Sequence, residues 1–382
     1  MSWKNSCLTQ EKLLFIADWL KREHAFTELC ERYQVSRKTG YKLVNRYQEE
    51  GEQAFQERSH ARHHHPNETA AEVRSHLLSL KHRFPKWGPA KIRDWLALEE
   101  PEKEWPSAST IGALYERHGL VKPRRYRRKT PSYSEPFLNC SLPNEVWSAD
   151  FKGQFKVGNG YCYPLTISDN YSRYLLGCEG FTSLNMQETL RSFEGVFKEY
   201  GLPQAIRTDN GYPFASVGVG GLTRLSIWWL KLGILPERIR AGCPQENGRH
   251  ERMHRTLKEA TAAPAQSNFA KQQQSFDEFR QEYNEARPHE GLGKKRPASV
   301  YTKSSREYPS RVEEVSYPDQ FIVRRVKTNG ELKWHGKRYY VSELLHREPI
   351  GLEIVDEGRA IVYFARLKLG LVDARKDKII RP

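Results

Sequence analysis

The sequence predicts a multidomain chain: two N-terminal all-α units, a central α/β core built on a mixed sheet, and a small C-terminal all-β barrel. Three observations predict it. Apolar residues recur with helical spacing up to about residue 121. Strand-like and helical segments then alternate to about residue 300. Beyond residue 318, apolar and polar residues alternate between turn signals. The expected boundaries are 1–56, 66–121, 122–140, 141–305 and 316–376.

The composition favours a nucleic-acid-binding protein. The formal net charge is +15, which points first to nucleic acid and next to an anionic membrane surface; a basic protein without such a partner is the alternative. No apolar run approaches the ~20 residues that span a bilayer, and no signal peptide is evident, so we expect no membrane partner. The six cysteines are scattered without a CxxC pair, which indicates reduced thiols, a cytoplasmic location and no zinc site.

The first unit, residues 1–56, has the pattern of a helix-turn-helix domain. Its first helix has apolar residues from Leu13 to Leu20, and Ser36 is a good N-cap for the last helix. That last helix is basic, as expected of a recognition helix in a DNA groove. A three-helix bundle with a charged face is the alternative. The candidate DNA contacts are Arg37, Lys38, Tyr41, Lys42 and Arg46.

The second unit, residues 66–121, repeats this three-helix arrangement. Two helices are separated at Pro85 and Gly88-Pro89, and a third is capped near Ser107 or Ser109. We expect a second helix-turn-helix domain, because two reading heads in tandem span a longer DNA site than one. Lys91 and Arg93 are predicted to be exposed and to contact DNA.

The segment 122–140 is predicted to be a basic linker. It begins "KPRRYRRK", a run of like charges that repels itself and stays extended. A solvated linker is the plain interpretation, but such an arm can also lie along DNA and displace counterions from the phosphates. The candidate phosphate contacts are Arg124, Arg125, Arg127 and Arg128.

The core, residues 141–305, begins with three predicted strands, at 144–157, 160–171 and 173–181. Asn159-Gly160 predicts a hairpin turn between the first two. An amphipathic helix ending at Gly201, a short buried strand before Asp209, a helix at 222–234 and a short edge strand then follow. A basic helix is expected from Pro244, and another helix at about 270–286. This order favours a mixed α/β layer over a doubly wound nucleotide-binding fold.

The C-terminal part, 316–376, is predicted to be an antiparallel barrel of five or six short strands. Asn329-Gly330, His335-Gly336 and Glu357-Gly358 mark its turns.

Three acidic residues occupy positions typical of a metal-dependent site. Asp150 lies inside a strand, Asp209 ends the next buried strand, and Glu251 lies in the basic helix. If the strands are neighbours and the helix crosses their ends, three carboxylates converge. Carboxylates suit Mg²⁺ or Mn²⁺, and two such ions can activate a hydroxyl and stabilise the leaving oxygen in phosphoryl transfer. Basic and polar neighbours on the helix are predicted to hold DNA: Asn247, Arg255 and Lys258.

The blocks "WSADFKG", "IRTDNGYPFAS" and "CPQENGRHERMHRTLKEA" resemble the retroviral-type integrase core, and are most similar to insertion-sequence transposases of the DDE type, closest to the insertion-sequence 481 group. The segment "YNEARPHEGLGKKRPASVY" is similar to that family's tail. The resemblance implies an RNase H-like core in which Asp150, Asp209 and Glu251 form the catalytic, metal-binding triad. It favours Glu251 over Glu246, because the family's acid lies three residues beyond the glycine that follows Pro-Gln.

One feature departs from the family pattern. Residues 210–250 separate the second and third acids, which is longer than the family's usual gap. The surplus is expected in the glycine-rich stretch 217–224, which would lie beside the active site. Asp169, an acid that the family often carries at a strand end, is interpreted as structural.

The resemblance implies a transposase that binds the inverted ends of a mobile element, cleaves a phosphodiester and joins the freed 3′-hydroxyl to target DNA. Joining two ends implies at least a dimer on double-stranded DNA, in the bacterial cytoplasm and associated with the nucleoid. No ATP-binding GxxxxGK[ST] motif is present. Two alternatives remain: a transposase-derived regulator with an inactive core, and a metal-dependent nuclease that cuts without joining.

Overall fold

The computed structural model describes residues 8–56, 68–121, 140–216, 219–240, 244–375 and 378–380. The chain divides into two compact units, Met1–Ala70 and Ala71–Pro382, which are considered separately. The four linker arginines predicted to contact phosphate, Arg124, Arg125, Arg127 and Arg128, lie outside the described residues. No helix in the described ranges is long and apolar enough to cross a membrane.

The first unit contains the three predicted helices: α1 (Leu8–Lys21), α2 (Phe26–Arg32) and α3 (Arg37–Glu50). Ser36 caps α3, as predicted, because its hydroxyl accepts a hydrogen bond from the Thr39 amide at 3.2 Å. The helices enclose a small apolar core whose members include Phe15, Leu29 and Leu43. The start of α3 faces the solvent, and Arg37 and Lys38 are exposed there.

The second unit begins with α4 (Ala71–Arg83), α5 (Pro89–Glu99) and α6 (Ala108–Arg117), which confirms the second helical group and its N-cap at Ser107. This group is joined to the rest of the unit by polar contacts. The Trp87 indole donates to Glu282 at 2.9 Å, and Lys91 donates to the Pro288 carbonyl at 2.6 Å. The group is therefore fixed to the core and is not a separately tethered reading head.

The core sheet is mixed, as predicted. Its strands are β1 (Val146–Phe151), β2 (Phe155–Val157), β3 (Gly160–Asp169), β4 (Leu175–Phe181), β5 (Ala205–Thr208) and β6 (Leu235–Arg238). The order is β2-β3-β1-β5-β6, with β4 also paired to β3. Strand β1 is antiparallel to β3 and parallel to β5, so β1 joins the two halves of the sheet.

Two details of the strand prediction were wrong. The first predicted strand is two strands, because Gly153 adopts φ +76° and breaks the extended chain between β1 and β2. The hairpin loop is Gly158 and Asn159, not Asn159-Gly160, because Val157 pairs with Gly160 in the ladder. Gly158, with φ +56°, takes the positive φ angle that the tight turn requires.

Four further helices belong to the core: α7 (Met186–Tyr200), α8 (Arg224–Lys231), α9 (Gly248–Thr261) and α10 (Phe269–Gln281), the last followed by a π-helical turn, Glu282–Ala286. Helix α7 ends at Gly201, where φ is +80°, as predicted. Helix α9 begins at Gly248, later than predicted, since Pro244–Asn247 form a 3₁₀ turn.

The C-terminal region is all-β, as predicted. It contains β7 (Ile322–Arg325), β8 (Glu331–Trp334), β9 (Lys337–Tyr340), β10 (Pro349–Asp356), β11 (Arg359–Phe364), β12 (Leu367–Asp373) and β13 (Lys378–Ile380). The pairing β13-β12-β11-β10-β7 forms one antiparallel sheet, and β8 with β9 forms a separate hairpin. The strand pairing therefore shows two sheets and does not show the closed barrel that was predicted.

The C-terminal sheets share an apolar core with the central part of the unit. Leu222, Ile227 and Leu230, on and beside α8, are buried with the apolar residues of β8 to β12. The described part of the glycine-rich stretch lies at this junction. Its Gly221 carbonyl accepts a hydrogen bond from Arg238 at 2.6 Å, and a Cβ on Gly220 would lie 2.8 Å from Leu369. The surplus residues thus contact the C-terminal sheet.

Gly40 allows helices α1, α2 and α3 to pack closely in the first unit. A Cβ there would lie 2.8 Å from the Cys30 sulfur and 3.0 Å from the Phe15 ring. We expect Gly40→Val to destabilise this unit by about 1–3 kcal/mol, because extra atoms in a packed core force neighbours apart. Thermal unfolding of the whole chain measures the effect. Gly195→Val is the matched control, because Gly195 is also helical but has open space around it; equal effects at both positions would contradict the packing argument.

Candidate active site

Strands β1 and β5 bring two of the predicted acids to the same end of the sheet. The parallel register pairs Ser148 with Arg207, and each strand delivers an aspartate two residues later. The Asp209 carboxylate accepts a hydrogen bond from the Gly211 amide at 3.0 Å, which fixes the turn after β5. Asp150 and Asp209 therefore emerge side by side.

A buried ion pair joins strands β5 and β6. Arg207 on β5 donates to Glu237 on β6 at 2.6 Å, and both side chains are about nine-tenths buried. A buried pair of this kind tolerates the loss of either partner poorly, because the remaining charge is left without compensation. It holds the strand that carries Asp209.

The third acid, Glu251, lies on α9 and is exposed to solvent. Its charge reaches the two aspartates. Burial, then the neighbouring Asp209 charge and, less strongly, Glu251 raise the pKa of Asp150 to about 7, while Lys152 opposes the shift. The charges of Asp209 and Glu251 thus both act on the Asp150 carboxyl.

Helix α9 is held on the sheet by two buried histidines. His250 Nε2 and His254 Nε2 both lie within hydrogen-bond distance of the Thr166 hydroxyl on β3, at 2.8 and 2.6 Å. His250 Nδ1 lies 2.9 Å from the Ser168 hydroxyl on the same strand. Thr166 is also the ladder partner of Asp150 and donates to its carbonyl at 3.2 Å. One hydroxyl therefore connects the helix of Glu251 to the strand of Asp150.

The Thr166 hydroxyl has a single proton and contacts three groups, the Asp150 carbonyl and the two Nε2 atoms. When this proton points to the Asp150 carbonyl, both imidazoles donate to the hydroxyl through Nε2. His254 Nδ1 lies 3.6 Å from Asp150 Oδ2. Burial lowers the pKa of His250 to about 3 and that of His254 further, so both rings are neutral at physiological pH.

The two histidines do not add to the positive charge of the basic helix, because they face the core. The buried face of α9 consists of His250, Met253, His254 and Leu257, at the helical spacing of a core-facing stripe. The four-residue separation of the two histidines is the sequence signal for this role.

The other acids near the site are engaged elsewhere. Glu246 is buried and accepts hydrogen bonds from the backbone amide and the guanidinium of Arg240. The Asp169 carboxylate is also buried and accepts from the Ser172 hydroxyl at 2.6 Å and the Asn144 amide at 2.8 Å. These contacts give both residues a structural role and leave Glu251 as the exposed acid at the start of α9.

The predicted DNA contacts fall into two groups. Most are exposed to solvent: Arg37, Lys38, Tyr41, Lys42, Arg93, Arg255 and Lys258. Tyr41 also stacks on Phe26, with ring centroids 4.0 Å apart. This stacking fixes the orientation of a ring that is 53% exposed.

Three predicted contacts are placed differently. Arg46 is half-buried and folds back onto its own unit, where it pairs with Glu50 at 2.9 Å and donates to the Gln56 carbonyl. Lys91 is not exposed as predicted, because its ammonium binds the Pro288 carbonyl; burial lowers its pKa to about 8. Asn247 is only 5% exposed and lies before α9, not on the exposed face of the helix.

The donor set at the three acids fits a hard divalent cation. Carboxylate oxygens are the ligands that Mg²⁺ and Mn²⁺ prefer, and a cation there would relieve the mutual repulsion that raises the pKa of Asp150. Within the described residues, no three acidic, histidine or cysteine side chains form a ready-made metal site. Glu251 is solvent-exposed on α9, so its side chain can change rotamer.

The comparisons with known proteins concern this same region. Residues 141–244 and 232–297 match two integrase core domain families, and residues 39–115 match a homeodomain-like domain family. Together the two integrase core matches span residues 141–297. These matches and the insertion-element relatives support a core of the DDE transposase type, preceded by a homeodomain-like region.

Two relatives are insertion-element proteins from bacteria. One is an uncharacterized 31.7 kDa protein of element IS407 in Burkholderia multivorans, 27% identical over 63% of this chain and 83% of its own length. The other is an uncharacterized 39.2 kDa protein of IS476 in Xanthomonas euvesicatoria, 26% identical over 61% of this chain and 65% of its own length. The assignment to the insertion-sequence 481 group stays a prediction.

A viral relative and a solved structure also match. The Gag-Pol polyprotein of baboon endogenous virus is 35% identical over 31% of this chain and 6% of its own length. The HTLV-2 integrase catalytic core, solved in complex with magnesium, is 17% identical and covers 42% of this chain and 99% of that chain, with a TM-score of 0.33.

Asp150→Asn is expected to stabilise the metal-free protein near pH 8 by about 1–2 kcal/mol, because it removes a buried charge that Asp209 and Glu251 repel. Because the pKa of Asp150 is raised in the folded state, the wild-type protein loses folding stability as the pH rises from about 4 to about 7. The gain should therefore vanish near pH 4. Urea unfolding with a chelator present measures it, and a gain independent of pH would contradict the proximity of the three acids.

Thr166→Val is expected to destabilise the second unit by about 2–4 kcal/mol, because two buried imidazole N–H groups lose their acceptor. Thr166→Ser is the matched control, since it keeps the hydroxyl and loses only a methyl group. Denaturant unfolding of the three proteins measures the effect. Equal stability of the Val and Ser variants would show that the hydroxyl does not hold α9.

Proposed function

We propose that the chain is a transposase that binds the terminal inverted repeats of its mobile element, cleaves the element ends and joins each 3′-hydroxyl to target DNA. The catalytic residues of this proposal are Asp150, Asp209 and Glu251. The observation that carries it is the parallel pairing of β1 with β5, which brings Asp150 and Asp209 to one end of the sheet in a region that matches the integrase core. Glu251 lies on α9, which packs on β3 through two histidines. We place its action on nucleoid DNA in the bacterial cytoplasm, following its insertion-element relatives.

The three carboxylates would hold two Mg²⁺ or Mn²⁺ ions, which in such sites activate the attacking oxygen and stabilise the leaving oxygen. Asp150 is fixed by β1 and its ladder to Thr166, and Asp209 by the turn at Gly211. The histidine contacts of α9 would hold Glu251 on the same side of the sheet. Each acid thus comes from a different element, so the site depends on the tertiary fold and not on any one segment.

Exposed cations provide the DNA-binding surface of the proposal. Arg255 and Lys258 extend from α9 beyond Glu251, where they can hold the phosphates on either side of the scissile bond. In the first unit, Arg37, Lys38, Tyr41 and Lys42 present a basic start of α3 to a DNA groove. The basic linker with Arg124, Arg125, Arg127 and Arg128 would lie along the backbone. A dimer or larger multimer would hold two element ends.

A two-ended labelled duplex tests the proposal most fully. Incubation of the full chain with Mg²⁺ should give nicked ends and then products joined to target DNA, without a covalent protein–DNA intermediate. Cleavage without joining would identify a nuclease. Specific end binding without cleavage, in Mg²⁺ or Mn²⁺, would identify a regulator with an inactive core.

Asp209→Asn is expected to abolish cleavage while DNA affinity changes by less than about threefold, because the carboxylate holds metal and the cations hold DNA. Gel-shift and cleavage assays on the same duplex measure both properties. Asp169→Asn is the contrasting variant: its carboxylate holds the Ser172 turn, so it should lower stability first. If Asp209→Asn lost binding and cleavage equally, the catalytic assignment would be wrong.

A further inference from the structure

A cluster of cations outside the three acids lacks a counterion among the described residues. Arg173, in the turn between β3 and β4, donates to the Asn170 carbonyl at 2.8 Å, and Arg249, at the start of α9, donates to the same oxygen at 3.3 Å. Two guanidinium groups on one carbonyl oxygen lie close together despite their repulsion. Arg249 also lies within one helical turn of Glu251, so the pair borders the active site.

The tail segment after α10 passes beside Arg173, since a Cβ on Gly291 would lie 3.9 Å from Arg173 Nη2. This segment carries further positive charge. Arg287 is half-buried, and its charge acts on Tyr283 together with that of Arg173. The nearby His289 packs edge-on against Tyr283, with ring centroids 4.7 Å apart. Lys91 donates to the carbonyl of Pro288, the residue between Arg287 and His289. His289 Nε2 is buried and has no hydrogen-bond partner among the described residues.

The acids around the cluster are engaged with other groups or exposed. Asp94 pairs with Lys294 at 2.8 Å, and Glu282 accepts from Trp87. Asp169 is held by Ser172 and Asn144, as described above. Glu290, near Lys91, and Glu259, near Arg287, are exposed.

In the described part of the chain, none of Arg173, Arg249 and Arg287 forms an ion pair. Arg173 and Arg287 are partly buried, and Arg249 is exposed beside them. Partly buried positive charges without a counterion cost free energy, so Arg173 and Arg287 favour binding of an anion.

We propose that Arg173, Arg249 and Arg287 form a binding site for a backbone phosphate of duplex DNA. The proposal rests on the proposed function, which brings DNA to this face of the core. Guanidinium groups suit phosphate because their planar N–H donors match two of its oxygens at once. Arg173 adopts φ +64°, an unusual backbone conformation for arginine that is typical of functional positions.

The site would join DNA binding to the geometry of the catalytic unit. Arg249 lies on the helix of Glu251, Arg173 follows the strand that carries Thr166, and Arg287 follows α10. A phosphate held by all three would fix the duplex against three elements of the core. It would therefore position the scissile bond, and the three arginines are positioning residues, not catalytic ones.

The double variant Arg173→Gln with Arg287→Gln tests this site in the full chain. Fluorescence anisotropy on a labelled duplex gives the dissociation constant over a series of salt concentrations. The slope of its logarithm against the logarithm of salt should fall by about 0.9 for each phosphate that the variant no longer neutralises. Arg280→Gln is the matched control, because Arg280 also donates to a core carbonyl, that of Leu176 at 3.0 Å.

The expected result is a lower slope in the double variant only, with cleavage by the bound complex also reduced. Thermal unfolding checks that both variants fold. Equal slopes in the double variant and the Arg280→Gln control, in a wild-type chain that binds and cleaves DNA, would overturn the phosphate site and leave the proposed function intact. A wild-type chain that binds no DNA would overturn both.

Discussion

The site depends on the contact between one threonine hydroxyl and two helix imidazoles. The Thr166 hydroxyl lies within hydrogen-bond distance of the Nε2 atoms of His250 and His254 and of the Asp150 carbonyl. One side chain therefore connects the helix of Glu251 to the strand of Asp150. The contact is buried, and its partners are neutral, so solvent and salt have little influence on it. Together with the packing of Met253 and Leu257, it positions the helix that carries the third acid.

The same region contains carboxylates that repel one another. Asp150 and Asp209 leave adjacent parallel strands at the same edge, and burial with mutual repulsion raises the pKa of Asp150. Such a site lowers the stability of the metal-free fold, and cation binding to such a site restores that stability. The surrounding scaffold compensates by extensive packing: the second helical group is tied to the tail by Trp87 and Lys91, and the C-terminal sheet shares a core with α8.

Much of this could be predicted from the sequence because the signals are local. Periodicity and caps such as Ser36 and Ser107 located the helices, and the flanking motifs selected the three acids. The remainder depended on tertiary contacts. Nothing near Lys91 in the chain indicates the distant Pro288 carbonyl, and the role of His250 appears only when β3 is placed beneath α9. Barrel closure likewise depends on pairing between strands far apart in sequence.

The central claim is that three carboxylates on three elements hold divalent cations. Anomalous diffraction from crystals of the full chain with a cleaved DNA end and Mn²⁺ tests it most directly. The account predicts two anomalous peaks roughly 4 Å apart, bounded by the carboxylates of Asp150, Asp209 and Glu251. Manganese bound elsewhere, or ions that contact the two aspartates while Glu251 stays in solvent, would contradict it.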